Sequence, residues 1–497
     1  MADTKREIER KYEATTDARV PDLTRVRGVS RVVDTGTADL DAVYYDTPGL
    51  RLAAHSVTLR RRTGGDAGWH LKLPVAPGVR DEVHAPLDDH VPPALAALVR
   101  ALTRGEDLVP AVRLRSSRDV RHLLDDGGGL LAELSTDTVH AERLTGDGGT
   151  ARWTEIEVEL ADGGDPALLD AVDKRLRKAG VRPAAAPSKL ARALEETGTP
   201  PPAARPAEHD TAGGHVLAYL REQADALLTH DIGLRRDHPD SVHRMRVATR
   251  RLRSAFRSHR KVLDREATDP VAAELKWLAA ELGVDRDREV LDERLREALD
   301  AVPRTLRLGP VHARLDRWSA ARRAGSRDRL LEILDGDRYL SLLDALDALL
   351  AGPPLRPAAA KSPRKALAKA VAKDQARVAA RIRHALALDP GHDRDTALHE
   401  ARKAAKRARY AAELAVPALG GPARRLVKDM KALQKLLGDH QDGVVAREAL
   451  REIAVQANGA GESSFTWGLL HAREEARAAD RERELPGLWA EARGLDG

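Results

Sequence analysis

Charged and apolar residues alternate one by one in several short segments of the first two hundred residues. Glu7, Glu9 and Lys11 are each separated by one residue, and Arg60 and Arg62 have the same spacing. Side chains at positions i, i+2 and i+4 of a β-strand project from one face of the sheet. The pattern therefore predicts strands with one charged and one apolar face. The spacing recurs at His70 and Lys72, at Arg113 and Arg115, and at Glu155, Glu157 and Glu159, with Ile8, Leu71, Val112, Leu114, Ile156 and Val158 on the opposite faces.

The signs of these charges are sorted by segment. Glutamates occupy the first and the last segments, at 7–9 and 155–159, whereas arginine and lysine occupy most of the positions between them. Burying so many charges inside a barrel without a ligand costs several kcal/mol for each ion. Divalent metal ions together with a polyphosphate would satisfy both signs. One such strand alone would indicate a solvated sheet face, but the sorting across several strands favours a site for a metal-bound polyanion.

Gly, Pro and Asp residues divide roughly the first 196 residues into short segments. Many short strands with frequent turns indicate an antiparallel barrel, and helical patterns at 92–103 and 167–179 predict helices that cover it. The segment 198–212 is proline-rich and has no apolar period, so we interpret it as a linker. The predicted strands are 57–62, 68–74, 79–84, 112–124, 130–139 and 153–160.

The chain from about residue 213 onward has the 3.6-residue apolar period of helices, and two of its motifs are repeated. A His-x-x-Arg motif begins at His243 and returns at His399, 156 residues later. Leu-Gly followed by an Asp occurs at Leu282 and again at Leu437, 155 residues later. Two motifs that keep nearly one offset indicate a duplicated unit. We therefore predict an all-helical region with two pseudo-symmetric bundles of about four helices each.

The repeated motifs belong to basic stripes on the predicted helices. At 100° per residue the first stripe covers about 80° of arc and the second about 120°. Acidic residues are nearly absent from both, whereas a solvated helix face mixes signs to form i, i+4 pairs. A bound anion would relieve the repulsion, although a solvated face and structural histidines remain alternatives. The candidate anion-binding residues are His243, Arg246, Arg250, Arg253 and Arg257, then His399, Arg402, Lys403, Lys406 and Arg409, and secondarily Lys369, Lys373, Arg377, Lys428, Lys431 and Lys435.

Composition excludes some classes of chemistry. The 497 residues contain no cysteine, which rules out disulfides, thiolate metal sites and a cysteine nucleophile. There is neither a secretory signal pattern nor a run of 18 apolar residues, so we expect a cytoplasmic protein without a membrane partner. Residues 1–200 hold 29 Lys and Arg against 33 Asp and Glu, while residues 201–497 hold 54 against 45. The helical region is therefore the one whose field attracts an extended anion.

Six motifs of the first part occur in the order found in a known family. They are Glu7-x-Glu9-x-Lys11, Tyr44-Tyr45-Asp46-Thr47-Pro48, Leu59-Arg60-Arg61-Arg62, Trp69-His70-Leu71-Lys72, Glu155-Ile156-Glu157 and Pro187-Ser188-Lys189-Leu190. With them, residues 1–197 resemble the CYTH domain of the triphosphate tunnel metalloenzymes. The resemblance implies an eight-stranded antiparallel tunnel that hydrolyses or cyclises triphosphates with Mg²⁺ or Mn²⁺, followed here by helices, so that the overall fold class is α+β.

The same resemblance implies roles for individual side chains. Glu82 is a weaker correspondence, and Arg118 matches the family's arginine although alternation from Arg113 and Arg115 sets it on the opposite face. Either a bulge shifts the register or Arg113 and Arg115 hold the phosphate. The implied metal ligands are Glu7, Glu9, Asp137, Glu155, Glu157 and Glu159, and the implied phosphate-binding catalytic residues are Lys11, Arg60, Arg62, Lys72, Arg118 and Lys189.

The aromatic residues of the sequence bear on which triphosphate is the substrate. Trp69 or Tyr45 could stack on an organic group, but we interpret both as core or rim aromatics. Inorganic triphosphate or short polyphosphate, which needs no base pocket, is therefore the preferred substrate. Thiamine triphosphate, cyclisation of ATP and a binding tunnel without turnover stay open as alternatives.

The His-x-x-Arg helices at about 209–490 resemble the CHAD domain, the conserved-histidine α-helical domain. That resemblance implies two four-helix bundles whose basic faces flank a pore or groove for inorganic polyphosphate, with possible docking on polyphosphate granules. The stripes lack interleaved aromatic residues for base stacking, which argues against nucleic acid as a ligand. The predicted organisation is a tunnel domain at 1–197, a linker at 198–212 and a helical domain at 213–492.

Overall fold

A computed structural model describes residues 3–14, 20–198, 210–323 and 326–493 of the chain. Its internal contacts divide the chain into two compact units, Met1–Arg205 and Pro206–Gly497, and each is described by itself below. The predicted linker at 198–212 lies mostly outside the described residues. Among the described helices, none is both long and apolar enough to cross a bilayer.

The first unit is a closed antiparallel barrel of eight strands, β1–β8. The strands pair in the order β5-β4-β3-β2-β6-β7-β8-β1, and a pairing between β1 and β5 closes the ring. A short ninth strand, β9, pairs with the far end of β1. The strands are β1 Asp3–Ala14, β2 Arg31–Asp46, β3 Thr58–Thr63, β4 Gly68–Ala76, β5 Val79–Ala85, β6 Val109–Leu124, β7 Leu130–Arg143, β8 Thr150–Leu160 and β9 Arg182–Pro183.

Strand β8 shows how alternation builds the barrel wall. Ile156 and Val158 are fully buried in an apolar cluster with Leu169 and Val172 of helix α3, which covers the outside of the barrel. The intervening glutamates face the interior, where Glu157 lies beside a central cavity. The predicted split between an apolar and a charged face is therefore confirmed for β8. The helices of this unit are α1 Arg51–Ala54, α2 Pro93–Thr103, α3 Pro166–Lys178 and α4 Lys189–Glu196.

Helix α4 fills one end of the barrel interior. Ser188 caps its N-terminus by accepting a hydrogen bond from the backbone N–H of Ala191 at 3.1 Å. Leu190 and Leu194 are buried against Tyr44 and Val112, whose side chains face the interior of β2 and β6. This packing leaves the first residue of α4, a lysine, directed into the remaining cavity.

The charged face that alternation predicted for strand β6, that of Arg113 and Arg115, is wrong, whereas Arg118, the residue that the family resemblance implies, lines the cavity. The pairing of β6 with β7 is regular from Val112 to Leu123, so no bulge separates Arg113 from Arg118. Val112 and Leu114 share the interior face with Arg118, because α4 supplies apolar partners at that end. Arg113 is on the other face, where it binds the carboxylate of Asp41.

The second unit is all-helical, as predicted, and its helix lengths follow the sequence duplication. Shifted by the 156-residue offset, α6 falls on α13, and α7 with α8 fall on the single long helix α14. In the first copy the helix is interrupted at Leu282 and Gly283, whereas α14 continues through Leu437 and Gly438. The helices are α5 Ala212–Arg235, α6 Ser241–Ser258, α7 Arg265–Glu281, α8 Val284–Asp300, α9 Val311–Arg323, α10 Ser326–Asp335, α11 Asp337–Ala351, α12 Pro363–Leu386, α13 His392–Leu419, α14 Gly421–Gly459 and α15 Phe465–Arg493.

The two His-x-x-Arg helices meet at the middle of this unit, where α6 contacts α13. Their small and apolar residues face the bundles: Met245 and Leu252 of α6 are fully buried, and so are Ala401 and Ala408 of α13. Because the apolar residues of both helices face the bundles, the 3.6-residue period places their basic residues on the opposite helix faces, which line a common groove.

Candidate functional site

The barrel encloses a cavity of about 270 Å³ whose walls are charged on all sides. Its lining comes from all eight strands of the barrel and from the start of α4. The predicted residues that line it are Glu7, Glu9, Lys11, Arg60, Arg62, Lys72, Arg118, Glu157, Glu159 and Lys189. Two further predicted residues, Asp137 and Glu155, lie buried directly behind this wall.

Lys189 joins three of the carboxylates. Its Nζ is 2.9 Å from Asp137, 2.7 Å from Glu155 and 2.6 Å from Glu157. Burial alone would lower the pKa of this ammonium group, but attraction from the three carboxylates outweighs it and raises the pKa. The oxygens of the three carboxylates lie within 4.8 Å of one another. A positive charge therefore already occupies the point where the carboxylates converge.

Lys11 connects this cluster to the first strand. The antiparallel register sets Lys11 opposite Glu157 and Glu9 opposite Glu159. The Lys11 ammonium binds the carboxylate of Glu157 and lies 3.1 Å from that of Glu9. Although burial opposes ionisation of Glu157, the charges of Lys11 and Lys189 hold its pKa well below the ordinary value.

Glu7 is a cavity carboxylate whose pKa is raised by its surroundings. Its carboxylate is 2.6 Å from the Nζ of Lys72, which also lies 3.7 Å from Glu82. Burial raises the pKa of Glu7 to about 7 and the neighbouring Glu82 adds to the rise, against the attraction of Lys72. The pKa of Glu82 is lowered despite burial, because His70, Lys72 and Arg60 all favour its charged form. Near neutrality the proton of this pair therefore resides on Glu7, while Glu82 stays ionised.

The arginines of the cavity approach it from two walls. Arg118 donates two hydrogen bonds of 2.7 Å to Asp137 and one of 3.0 Å to Glu157. Across the cavity, Arg60 donates to the Tyr44 hydroxyl at 3.4 Å and lies 3.7 Å from Glu82. Burial and the repulsion of Arg60 lower the pKa of Arg62 to about 10. Such crowding of like charge is relieved when an anion enters.

Several lining residues had no role in the sequence-based prediction. Arg80 lies 4.0 Å from Glu9 and donates a hydrogen bond of 2.9 Å to the Pro187 carbonyl oxygen. Arg80 and Glu82 have the same i, i+2 spacing as the other strand pairs, and that signal could have found Arg80. Trp69 and Tyr45 do not line the cavity: Trp69 is fully buried, with its ring centroid 4.8 Å from that of Tyr45.

The carboxylate cluster has the donor chemistry of a site for hard divalent cations. Asp137, Glu155 and Glu157 supply oxygen ligands alone, which suits Mg²⁺ or Mn²⁺. Glu7 and Glu9 add carboxylates to the same cavity from β1, the strand that pairs with β8. The residues therefore fit such an ion, provided that the Lys189 ammonium moves aside as the ion binds.

The helical unit contains a second and larger cavity, a groove of about 1070 Å³ between α6, α8, α12, α13 and α14. The structure also brings Arg381 and Arg407, which are not among the candidates predicted from the sequence, into the same groove. The predicted residues that line it are His243, Arg246, Arg250, Arg253, Arg257, Arg377, His399, Arg402, Lys403 and Lys406.

The repeated Leu-Gly motif explains how two of the groove arginines are held. Asp287 accepts two hydrogen bonds from the guanidinium of Arg246, at 2.5 and 2.7 Å. A Cβ atom on Gly283 would lie 2.6 Å from Arg246, and one on Gly438 would lie 3.3 Å from Arg402. The glycines therefore make room for the two arginines, and the repeated motif marks the wall on which they rest.

Repulsion between like charges is concentrated in this groove. Burial, together with the charges of Arg402, Arg250 and Arg246, lowers the pKa of Lys406 to about 7. Burial and neighbouring arginines also lower the pKa values of Arg250 and Arg253. These shifts have the direction expected where cations are held together without enough carboxylates to neutralise them.

The remaining candidates lie elsewhere in the helical unit. Arg409 is not part of the groove lining and lies 3.3 Å from Glu413. Lys369 is exposed on α12, and Lys373 lines a smaller cavity of about 400 Å³ with Arg257 and Arg377. The stripe on α14 faces away from the groove, because its apolar residues are buried in the bundle. Its exposed members are Lys428, Lys431 and Lys435.

Comparisons with known proteins agree with the two units. The CYTH domain model matches residues 5–193 and the CHAD domain model matches residues 218–451. The chain is a CYTH–CHAD protein. Two proteins from strains of Mycobacterium tuberculosis, described as uncharacterized proteins MT2285 and Rv2226, are each 40% identical to it over 99% of this chain and 96% of theirs.

Solved structures similar to this CYTH–CHAD chain align with part of its length. PptA from Streptomyces chartreusis aligns with a TM-score of 0.49 and 23% identity, over 56% of this chain and 99% of that one. The CHAD domain from the plant Ricinus communis aligns with a TM-score of 0.44 and 26% identity, over 56% of this chain and 92% of that one.

Proposed function

We propose that the tunnel hydrolyses inorganic triphosphate or short-chain polyphosphate with the help of Mg²⁺ or Mn²⁺. The observation that carries this proposal is the mixed-sign cavity, in which a three-carboxylate cluster adjoins at least four arginine and lysine side chains. Phosphoryl transfer requires mostly positioning and charge stabilisation rather than a covalent contribution from the protein. An array of fixed cations beside metal-binding carboxylates supplies both.

Asp137, Glu155 and Glu157 would hold the metal, with Glu159 available from β8 and Glu7 and Glu9 from the neighbouring β1. When bound, a divalent ion neutralises phosphate oxygens and makes a coordinated water more acidic. The protein side chains hold and orient the substrate. Arg118 presents a planar fork suited to two phosphate oxygens, while Lys11, Lys72 and Lys189 act as point charges.

The lining favours an inorganic substrate. In the described part of the chain, Tyr44 is the one aromatic residue among those that line the cavity, and its hydroxyl accepts a hydrogen bond from Arg60. No apolar slot for a base or a thiazole ring accompanies it among those lining residues. Thiamine triphosphate and ATP are therefore secondary candidates for the same site.

We further propose that the groove of the helical unit binds inorganic polyphosphate. It is about four times as large as the tunnel cavity and carries arginine and lysine from both sequence copies. Its crowded cations lower one another's pKa values, so a flexible polyanion would relieve the repulsion along its length. Long chains held there raise the local concentration of substrate for the tunnel. Association with polyphosphate granules in the cytoplasm would follow from the same affinity.

Phosphate release tests the enzymatic part of this proposal. Purified full-length protein is incubated with Mg²⁺ or Mn²⁺ and triphosphate, ATP, thiamine triphosphate or long polyphosphate, beside the double variant Glu7→Gln, Glu9→Gln. We expect release from triphosphate that is lost in the variant. Preference for an organic triphosphate would select the secondary candidates. No release from any substrate, with long polyphosphate still bound, would leave a polyphosphate-binding protein without turnover.

Competition tests the ligand of the groove. Labelled long polyphosphate is displaced by unlabelled polyphosphate or by single-stranded RNA at one fixed salt concentration, because both polyanions bind through counterion release. We expect polyphosphate to compete at a lower phosphate concentration than RNA. Equal or better competition by RNA would contradict the assignment.

A further inference from the structure

Two histidines and an aspartate meet at the β3–β4–β5 side of the tunnel, outside the carboxylate cluster. His70 of β4 is fully buried, and its ring centroid is 4.9 Å from that of His84 on β5. Asp66 belongs to the turn between β3 and β4. One donor atom from each of the three residues lies within 4.8 Å of the other two. Neither the sequence motifs nor the proposed hydrolysis assigns a role to this cluster.

The hydrogen bonds of His70 determine which of its nitrogens is free to bind a cation. Its Nδ1 lies 3.0 Å from a carboxylate oxygen of Glu82, and a carboxylate only accepts hydrogen bonds, so Nδ1 carries the proton. In the neutral ring Nε2 then has a lone pair, yet it faces the carbonyl oxygen of Asp66 at 3.1 Å. Two acceptors therefore face each other without a hydrogen atom between them.

His84 adds a third acceptor to the same place. Its Nε2 is buried and has no hydrogen-bond partner among the described residues, and it lies 3.9 Å from the carboxylate of Asp66. Gly68 makes this position possible, because a Cβ atom there would lie 2.4 Å from Nε2 of His84. The backbone φ of Gly68, 155°, is also one that other residues rarely adopt.

We propose that His70, His84 and Asp66 form a binding site for one divalent transition-metal ion of the zinc class. Two imidazole nitrogens with one carboxylate form a ligand set that zinc-class ions prefer, whereas Mg²⁺ prefers oxygen ligands alone. Metal–nitrogen bonds of about 2.1 Å place tetrahedral donors about 3.4 Å apart. The three donor atoms lie within 4.8 Å of one another, so they need to approach by at most about 1.4 Å, and Asp66 lies on an exposed turn. Glu82 supplies the outer carboxylate that fixes the tautomer of a metal-binding histidine.

A second histidine cluster in the helical unit provides a contrast. His440 lies 3.3 Å from Asp395 and 3.2 Å from Glu482, but those carboxylates are already bound by Arg447 at 2.8 Å and Arg394 at 3.0 Å. Its charges are balanced without a metal ion. In the tunnel cluster, by contrast, no described side chain donates a hydrogen bond to Nε2 of His84.

Binding of a metal ion at this site would also affect a side chain that lines the tunnel cavity. The carboxylate of Asp66 lies 3.3 Å from the guanidinium of Arg62, which lines the cavity. A metal ion that draws the carboxylate toward the histidines frees Arg62 for a phosphate. This consequence rests on the proposed hydrolysis, whereas the binding site itself does not.

Cobalt binding tests the site without any measurement of hydrolysis. The full-length protein is titrated with Co²⁺ in the presence of excess Mg²⁺, which occupies the oxygen-only sites, and visible absorption reports nitrogen-bound Co²⁺. We expect one tight site in the natural protein and in His90→Ala, whose histidine is exposed outside the cluster. In His84→Ala we expect affinity to fall at least about 100-fold, as for loss of one of three ligands.

A second variant tests whether weaker Co²⁺ binding results from displacement of His84 rather than from loss of the fold. Gly68→Ala keeps every ligand but displaces the ring of His84, so it should weaken Co²⁺ binding while circular dichroism shows an intact fold. Equal Co²⁺ affinity in the natural protein and in both His84→Ala and Gly68→Ala would overturn the proposal. So would the absence of nitrogen-bound Co²⁺ from the natural protein under these conditions. Either failure leaves triphosphate hydrolysis to be judged separately.

Discussion

The tunnel and the groove both collect basic side chains, but they balance them differently. In the tunnel, Lys11, Lys72, Arg118 and Lys189 each have a carboxylate within 3.1 Å. In the groove, the stripes of α6 and α13 face one another, and carboxylates such as that of Asp287 are few. The basic side chains of the tunnel are therefore neutralised by the carboxylates of the tunnel itself, whereas the groove holds a surplus of positive charge.

This difference indicates two modes of anion binding. A metal ion and a phosphate can enter the tunnel by exchanging partners with ion pairs that already exist, so geometry decides what binds. The groove gains from any flexible polyanion that lowers the repulsion among its arginines, so charge density and salt decide what binds.

Replacing the tunnel arginine should have the largest effect. Arg118→Ala removes a fork that points into the cavity, and we expect triphosphate hydrolysis to fall about 100-fold, as when one fixed donor to a transition state is lost. The measurement is steady-state phosphate release with Mg²⁺. Arg113→Ala is the matched control on the opposite face of the same strand, and it should remain within about twofold of the natural rate. Comparable losses in both variants would contradict the assignment of faces to function.

Replacing the paired groove arginines should affect binding alone. We expect Arg246→Ala with Arg402→Ala to weaken long-polyphosphate binding about tenfold and to lower the salt dependence of log affinity by about 1.5 units, since two cations are removed. Triphosphate hydrolysis should not change. Arg338→Ala, an exposed arginine paired with Glu274 on the outside of the helical unit, is the control. An unaltered salt dependence in the double variant would count against the groove as the phosphate contact.

The acidic limb of the pH profile should report Glu7. Its pKa of about 7 means that it is protonated below neutrality, whereas a metal ion requires the carboxylate. Hydrolysis at limiting Mg²⁺ should therefore rise about tenfold from pH 6 to pH 8. More Mg²⁺ should shift the midpoint to lower pH, because the ion competes with the proton. A midpoint near pH 4.5 that does not change with the Mg²⁺ concentration would show that Glu7 has no such role.

The smallest effect concerns Lys406. With a pKa of about 7, this side chain loses its charge as the pH rises through neutrality, and a bound polyanion raises its pKa. At fixed salt we expect polyphosphate affinity to fall about threefold between pH 6 and pH 8.5. Lys406→Met should bind more weakly at pH 6 and lose most of this dependence. If the variant keeps the full pH dependence, another group is responsible.

The sequence predicted the tunnel well where one face of a strand is apolar. On β8, Ile156 and Val158 identify the outer face without ambiguity, so the inward positions of Glu155 and Glu157 follow. On β6 both faces carry arginine, and the choice depends on α4, which packs against Val112 and Leu114 from a distant part of the chain. Local alternation cannot reveal that docking, which is why it set Arg113 and Arg115 on the interior face, whereas the family resemblance identified Arg118.

The helical region shows a similar limit. The repeated His-x-x-Arg motif predicted the first stripe correctly as a groove wall, because its apolar residues leave one basic face. The stripe of Lys428, Lys431 and Lys435 has the same spacing but faces outward, and a helical pattern alone does not say which neighbour it meets. Duplication also marked Gly283 and Gly438, but their contacts with arginines became visible only in three dimensions.

One measurement tests the contrast between the two regions most directly. Full-length protein is assayed for triphosphate hydrolysis and for long-polyphosphate binding in the same buffer, first with Mg²⁺ and then with excess EDTA. The account predicts that EDTA abolishes hydrolysis and leaves polyphosphate binding intact or tighter, because the groove binds through its own cations. Hydrolysis that survives EDTA, or polyphosphate binding that disappears with the metal, would contradict it.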